Sequence, residues 1–346
     1  MGTGKIAEEG IFLIPQEAPT TSEESLIETQ IGVGEKSAPC DHQNRIPLFV
    51  IFLLSSHYYF RSPNVDSSSS TENRIFTSKG ERDLVPTEQL EMLRTHVQYA
   101  AAIYCPKSEL VNWTCGSRCV GNVIVEDFFH DEIKGASRDF INWVYNLRFA
   151  LLDYKFPEVE GALVHGGFYE TYDRVKNSIL WTIQWMMARK ENSCRGYDVI
   201  ITGHSLGGAL ASFLAIDVKR YILDPIIDKK TTGTPFTIRL TTIGEPRVGN
   251  DVYAKIIQNQ LILKSDHFVS RLTHRNDVIV HLPPSDRGFV HHPHEVWVKK
   301  HNETYICRDI VEGEPIEDPS CLAGVPFVDF GPHVFIWNTS FTPACV

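Results

Sequence analysis

The chain has 346 residues, 42% of them apolar and 22% charged, enough apolar material for a sizeable folded core. Asp and Glu number 43 against 33 Lys and Arg, a formal net charge of -10. No overall basic surface is left to attract nucleic acid or anionic lipid, so any membrane contact has to be apolar.

Residues 15–45 are rich in Glu, Ser, Thr and Pro, and Ser67–Ser70 is a serine run; neither offers a periodic apolar face. Between them lies Leu48-Phe-Val-Ile-Phe-Leu-Leu54, flanked by Arg45 and Arg61. It is too short for a membrane-crossing helix, which needs about 20 apolar residues. Its length suits the apolar core of a signal peptide, about 7–15 residues. Residues 1–80 therefore read as a disordered leader with a signal-like segment at 46–60, displaced by an N-terminal extension; a signal anchor is the second reading. A buried strand there would lack obvious partners. Residues 81–346 read as one catalytic domain.

From Thr87 the texture changes. Thr87 can cap a helix with Leu90, Leu93, Val97, Ala100 and Ala101 at helical spacing. Further on the pattern predicts a helix over 169–189, a strand over 197–201, a helix over 206–222, a strand over 236–243, a helix over 252–262 and a strand over 268–273. Such alternation argues for an α/β fold, a mostly parallel sheet covered by helices.

Eight cysteines are present, and Cys115 and Cys119 could be half a zinc site, but no second close pair completes it. Disulfides are the better reading. Acceptor tripeptides for N-glycosylation at Asn112, Asn302 and Asn338 point to the same oxidising, extracellular compartment.

The most informative stretch is Tyr197-Asp-Val-Ile-Ile-Thr-Gly-His-Ser-Leu-Gly-Gly-Ala-Leu210. An apolar strand runs into Gly203-His-Ser-Leu-Gly207 and then into a helix, the setting a nucleophile elbow requires. Ser205 would sit on a strained turn, where glycines let strand and helix pass closely. The Leu206 N–H and the helix N-terminus would face an oxyanion. A serine hydroxyl needs a base, and the base an orienting carboxylate, in the chain order Ser, Asp/Glu, His. Asp277 follows the predicted strand 268–273 and suits the carboxylate. His281, His291, His292, His294, His301 and His333 all lie downstream, and residue patterns do not choose among them.

At these residues the chain resembles the fungal class 3 lipases, the family of the secreted Rhizomucor, Thermomyces and Yarrowia enzymes. The resemblance runs from about Leu90 to Cys345. It rests on Tyr99-Ala-Ala-Ala-Ile-Tyr-Cys105, Val164-His-Gly-Gly-Phe168, Gly203-His-Ser-Leu-Gly-Gly-Ala209, Gly244-Glu-Pro-Arg-Val-Gly249, Thr273-His-Arg-Asn-Asp277 and His281-Leu-Pro-Pro284. It implies an α/β-hydrolase-type fold with a helical lid, no cofactor or metal, a monomer, and hydrolysis of acylglycerols at an oil–water interface. It makes Ser205 the nucleophile, Asp277 the orienting acid and His333 the base. It pairs Cys105 with Cys345, Cys115 with Cys119 and Cys307 with Cys321, leaving Cys40 and Cys194 over.

The resemblance also assigns a second oxyanion donor, the backbone N–H of Ala136, and a lid whose apolar face is Phe140, Ile141, Trp143, Val144 and Leu147. One departure stands out. Relatives place a strand hairpin between the segment matching Phe128-Phe-His-Asp131 and the oxyanion glycine, whereas here Asp131-Glu-Ile-Lys-Gly135 joins them directly. The expected function is thus a secreted triacylglycerol lipase. The alternatives are a carboxylesterase or feruloyl esterase on soluble esters, and a lipid-binding relative with impaired turnover.

Overall fold

The computed structural model describes residues 46–52, 83–121, 150–189, 197–231, 235–263, 267–300, 303–311, 314–315 and 317–342. Seven strands form the main sheet: β1 (Ile46–Phe52), β2 (Asp83–Leu84), β5 (Tyr197–His204), β6 (Thr237–Ile243), β7 (Phe268–His274), β8 (Glu295–Lys300) and β9 (Glu303–Ile306), in the order β1-β5-β6-β7-β8-β9-β2. The run from β1 to β8 is parallel, and β9 and β2 close the far edge antiparallel. The short strands β3 (Leu151–Asp153) and β4 (Leu163–His165) pair separately.

Both faces of the sheet are covered, which is why its strands read as apolar runs rather than alternating ones. On one face pack α3 (Gly166–Arg189), α4 (Leu206–Val218) and α5 (Asp251–Ile257), over Val199, Ile201, Ile238 and Leu240. On the other, α1 (Thr87–Ala102) lays Leu93, Val97, Ala100 and Ala101 against Ile243, Leu272, Val296 and Val298. A short α2 (Lys107–Val111) follows α1. Every residue of α4 is buried. It packs on β5 and β6 on one side and on α3 on the other, so it has no polar stripe. Tyr172 and Lys176 of α3 reach Asp217 of α4 at 2.8 and 2.9 Å, so that its buried carboxylate is paired. No helix among the described residues is long and apolar enough to cross a membrane.

The predicted elements exist, with shifted ends. Thr87 does not cap α1. It is the first helical residue, and Pro86, with φ near -56°, precedes it and accepts from the Leu90 N–H at 2.9 Å. Proline fixes φ in advance and leaves no side-chain acceptor to use. The predicted helices 206–222 and 252–262 both change winding, to π-helical turns at Lys219–Leu223 and Gln258–Ile262. Asn250 caps α5 by accepting from the Tyr253 N–H at 3.1 Å.

The larger difference is at the N-terminal side. The apolar segment read as signal-like contains β1, which pairs in parallel along the whole of Tyr197–Gly203. A short apolar run of this length serves a fully buried parallel strand as well as a signal core, and periodicity does not separate the two. Without β1, β5 would be an edge strand of the sheet.

Candidate active site

The strand β5 ends at His204 and α4 begins at Leu206, so Ser205 alone makes the turn. Its φ and ψ are 58° and -126°, a strained conformation for a residue with a side chain. The Ser205 N–H donates to the Ile243 carbonyl at 2.8 Å, fixing the turn to the end of β6. A Cβ on Gly203 would lie 2.1 Å from the Gly207 carbonyl oxygen, so the elbow closes only with glycine there. Ser205 itself is buried.

Asp277 lies beyond the C-terminal end of β7, and His333 ends a short turn at Gly331–His333. Their side chains meet, His333 Nδ1 standing 2.8 Å from Asp277 Oδ2, both 1% exposed. The carboxylate only accepts, so Nδ1 carries the proton and Nε2 is left as the basic nitrogen. The other Asp277 oxygen accepts from the Ile279 N–H at 2.8 Å. The two loops are laced together by main-chain bonds, Asp329 N–H to Asn276 O at 2.8 Å and Val278 N–H to Asp329 O at 3.0 Å. His274 Nδ1 adds a bond to the Pro332 carbonyl at 3.0 Å.

Gly244, directly after β6, brings this pair to the elbow. Its φ is +56°, and a Cβ there would stand 3.0 Å from both Asp277 Oδ2 and His333 Nδ1. Only glycine gives both the left-handed turn and the room.

Three of the rival histidines are occupied elsewhere. His291 Nε2 bonds the Val280 carbonyl at 2.8 Å, His292 Nε2 bonds Glu245 Oε2 at 2.9 Å, and His294 Nδ1 faces the Val269 carbonyl at 3.3 Å. His281 is half-buried, and burial followed by the Arg247 charge pushes its pKa down. His301 lies outside the described residues. Of the downstream histidines with described side chains, His333 is the one paired with Asp277.

The structure also explains motifs that carry no chemistry of their own. Glu245 of the Gly244–Gly249 motif is fully buried, accepting from Thr242 Oγ1 at 2.7 Å beside His292. Arg247 ties Glu317 to the Pro283 carbonyl. A Cβ on Gly249 would lie 2.5 Å from the Leu163 carbonyl oxygen. Cys115–Cys119 and Cys307–Cys321 are bonded as the resemblance implied. Cys105 is disulfide-bonded; its expected partner Cys345 lies outside the described residues, as do Cys40 and Cys194. The same holds for Ala136, the lid residues Phe140, Ile141, Trp143, Val144 and Leu147, and the shortened stretch 131–136.

Sheet and elbow together define an α/β-hydrolase-type scaffold, and the comparisons with known proteins agree. Residues 132–287 match the family model of the class 3 lipases. A Rhizopus niveus lipase is 30% identical over 199 residues, covering 57% of this chain and 45% of that protein. A secreted mono- and diacylglycerol lipase A of Penicillium cyclopium is 26% identical over 282 residues, covering 72% of this chain and 85% of that one. Among solved structures, a lipase from Rhizopus microsporus var. chinensis superposes with a TM-score of 0.58 at 24% identity, covering 78% of this chain and 94% of its own. The chain is similar to fungal lipases in sequence over part of its length and in fold, and it spans less than half the length of the Rhizopus niveus lipase.

Proposed function

We propose that this chain is a serine hydrolase that cleaves carboxylic ester bonds of acylglycerols through an acyl-enzyme on Ser205. The observation that carries the reading is the buried Asp277–His333 pair, held beside a glycine-bounded serine elbow. Ser205 Oγ attacks the ester carbonyl while His333 Nε2 takes its proton, and Asp277 holds the Nδ1–H and stabilises the imidazolium. His333 then gives the proton to the departing alcohol, and water repeats the sequence to release the acid. The Leu206 N–H, at the start of α4, faces the tetrahedral oxyanion, and the resemblance adds the Ala136 N–H. Each such donor is worth about 100–1,000-fold in rate.

Acylglycerol as substrate rests on the likeness to fungal lipases, the Penicillium relative being a mono- and diacylglycerol lipase. That this relative is a secreted lipase, together with the disulfides at Cys115–Cys119, Cys307–Cys321 and Cys105 here, supports an extracellular protein. Activity of the full chain on emulsified triacylglycerol, monoacylglycerol and a soluble short-chain ester, each against Ser205→Ala, tests the reading. Turnover by Ser205→Ala at the parent's rate on any of them refutes the mechanism. Turnover confined to the soluble ester refutes the acylglycerol assignment.

A further inference from the structure

The residue before the nucleophile has a part of its own. His204 ends β5, and its buried imidazole is engaged at both nitrogens. Nε2 stands 2.8 Å from the main-chain carbonyl oxygen of His333, and Nδ1 stands 2.7 Å from the Tyr104 hydroxyl. A carbonyl oxygen only accepts, so Nε2 carries the hydrogen. Nδ1 then offers only a lone pair, and the Tyr104 O–H must donate to it. Burial pushes the Tyr104 phenol well up, so it remains a donor at any working pH. Burial, and then the neighbouring charge of His333, pushes the His204 imidazole well down, so it remains neutral.

Packing holds the ring in this setting. It lies flat on Phe341, with centroids 3.9 Å apart and planes 4° off parallel, while Tyr104 meets it edge-on at 5.8 Å. Its centroid is 4.6 Å from that of His333. Tyr104 is anchored in turn, since its N–H bonds Ala101 O at the end of α1 and the following Cys105 is disulfide-bonded.

We propose that Tyr104 and His204 are a positioning relay for the base. The His333 carbonyl fixes the Nε2–H tautomer of His204, Tyr104 supplies the donor that the Nδ1 lone pair then needs, and the Nε2–H holds the His333 backbone at the height where its imidazole serves Ser205. The relay rests on the assignment of Ser205, Asp277 and His333 given above. Without the Tyr104 hydroxyl, the buried Nδ1 lone pair of His204 is left without its donor, and the ring is held less firmly against the His333 carbonyl. Tyr104 thus acts only through His204, a dependence that a space-filling role lacks.

The test uses the full chain, hydrolysis of a soluble p-nitrophenyl ester, and a count of active sites by exhaustive labelling with an organophosphonate. His204→Phe keeps a ring for Phe341 and removes the donor; kcat per labelled site should fall about 10–100-fold, the scale of a misplaced catalytic group, with KM near the parent's. His204→Gln places an amide N–H near the Nε2 position and should recover most of that loss. Tyr104→Phe should cost about 3–10-fold in the parent and nothing further in His204→Phe, the non-additivity of groups acting in series. Unchanged kcat per site in His204→Phe overturns the relay. So does a Tyr104→Phe loss of equal size in both backgrounds, which needs no stable single variant of His204 beyond the one compared. Labelling of the parent at a serine other than Ser205 sinks the catalytic assignment itself, and the relay with it.

Discussion

Gly244→Ala is the substitution that tests the geometry of the site most directly. Two costs can be worked out separately. The glycine's φ of +56° becomes strained for alanine, at about 1–2 kcal/mol. The new Cβ would stand 3.0 Å from Asp277 Oδ2 and His333 Nδ1, whereas ordinary contact begins at 3.4 Å. The pair must therefore retreat by a few tenths of an ångström or separate. A displacement of 1 Å costs roughly 100-fold in rate, so a loss of about 5–50-fold in kcat is expected. The strain alone should lower the melting temperature by roughly 2–8 °C. Gly161→Ala is the control, because its φ is +80° and nothing lies within 4 Å of an added Cβ. It should share the loss of stability and keep the parent's kcat. The assay is hydrolysis of a soluble ester per phosphonate-labelled site, with thermal unfolding of each protein. Parental turnover in Gly244→Ala, or an equal loss of turnover in Gly161→Ala, would refute the reasoning.

Three further outcomes are expected. His333→Ala should abolish turnover to the level of Ser205→Ala, whereas His281→Ala should retain most of it; comparable losses in both would remove the assignment of the base. The second concerns His96, held with its pKa at about 3 by burial and then by the Arg239 charge, with Nδ1 on Thr241 Oγ1 at 2.7 Å. Its folded pKa lies below the unfolded value of 6.5, so its contribution is complete above pH 6.5 and is lost as pH falls towards 3. His96→Asn should flatten the fall in stability between pH 6 and 4 by up to about 1.4 kcal/mol per pH unit, read by denaturant unfolding; an unchanged slope contradicts it. Last, removal of residues 1–45 should leave stability intact, while removal of 1–52 should uncover β5 and lower the melting temperature or cause aggregation. Equal behaviour of the two truncated chains would show that β1 contributes nothing to the sheet.

What could be read beforehand follows from where the chemistry constrains the chain locally. Ser205 was legible because strand, glycine turn and helix are contiguous, and each constrains residue type. Asp277 was legible from its place after a strand. His333 was not, among six downstream candidates, because Asp277 and His333 are joined by loop-to-loop bonds across 56 residues, and no local pattern records such bonds. Only the family resemblance singled it out. Gly244 and His204 stand inside motifs that carry the resemblance, but the contacts they make needed the third dimension. The glycine accommodates two side chains from elsewhere in the chain, and the histidine reaches a carbonyl 129 positions away.

The β1 segment shows a different limit. A short apolar run such as Leu48–Leu54 suits a signal core and a parallel strand equally, because both call for consecutive apolar residues. The choice depends on whether a partner strand has an unpaired edge, which is a property of β5 and of the sheet order and not of residues 46–52. In this chain β5 has such an edge. A parallel strand donates and accepts main-chain bonds along its whole length, and a buried edge left unpaired costs about 1–3 kcal/mol for each stranded group. With seven residues in register from Ile46 to Phe52, pairing to β5 answers that demand over the length of the elbow strand. The same register places β1 alongside the segment that ends at His204 and Ser205, so the N-terminal strand and the nucleophile depend on one and the same backbone.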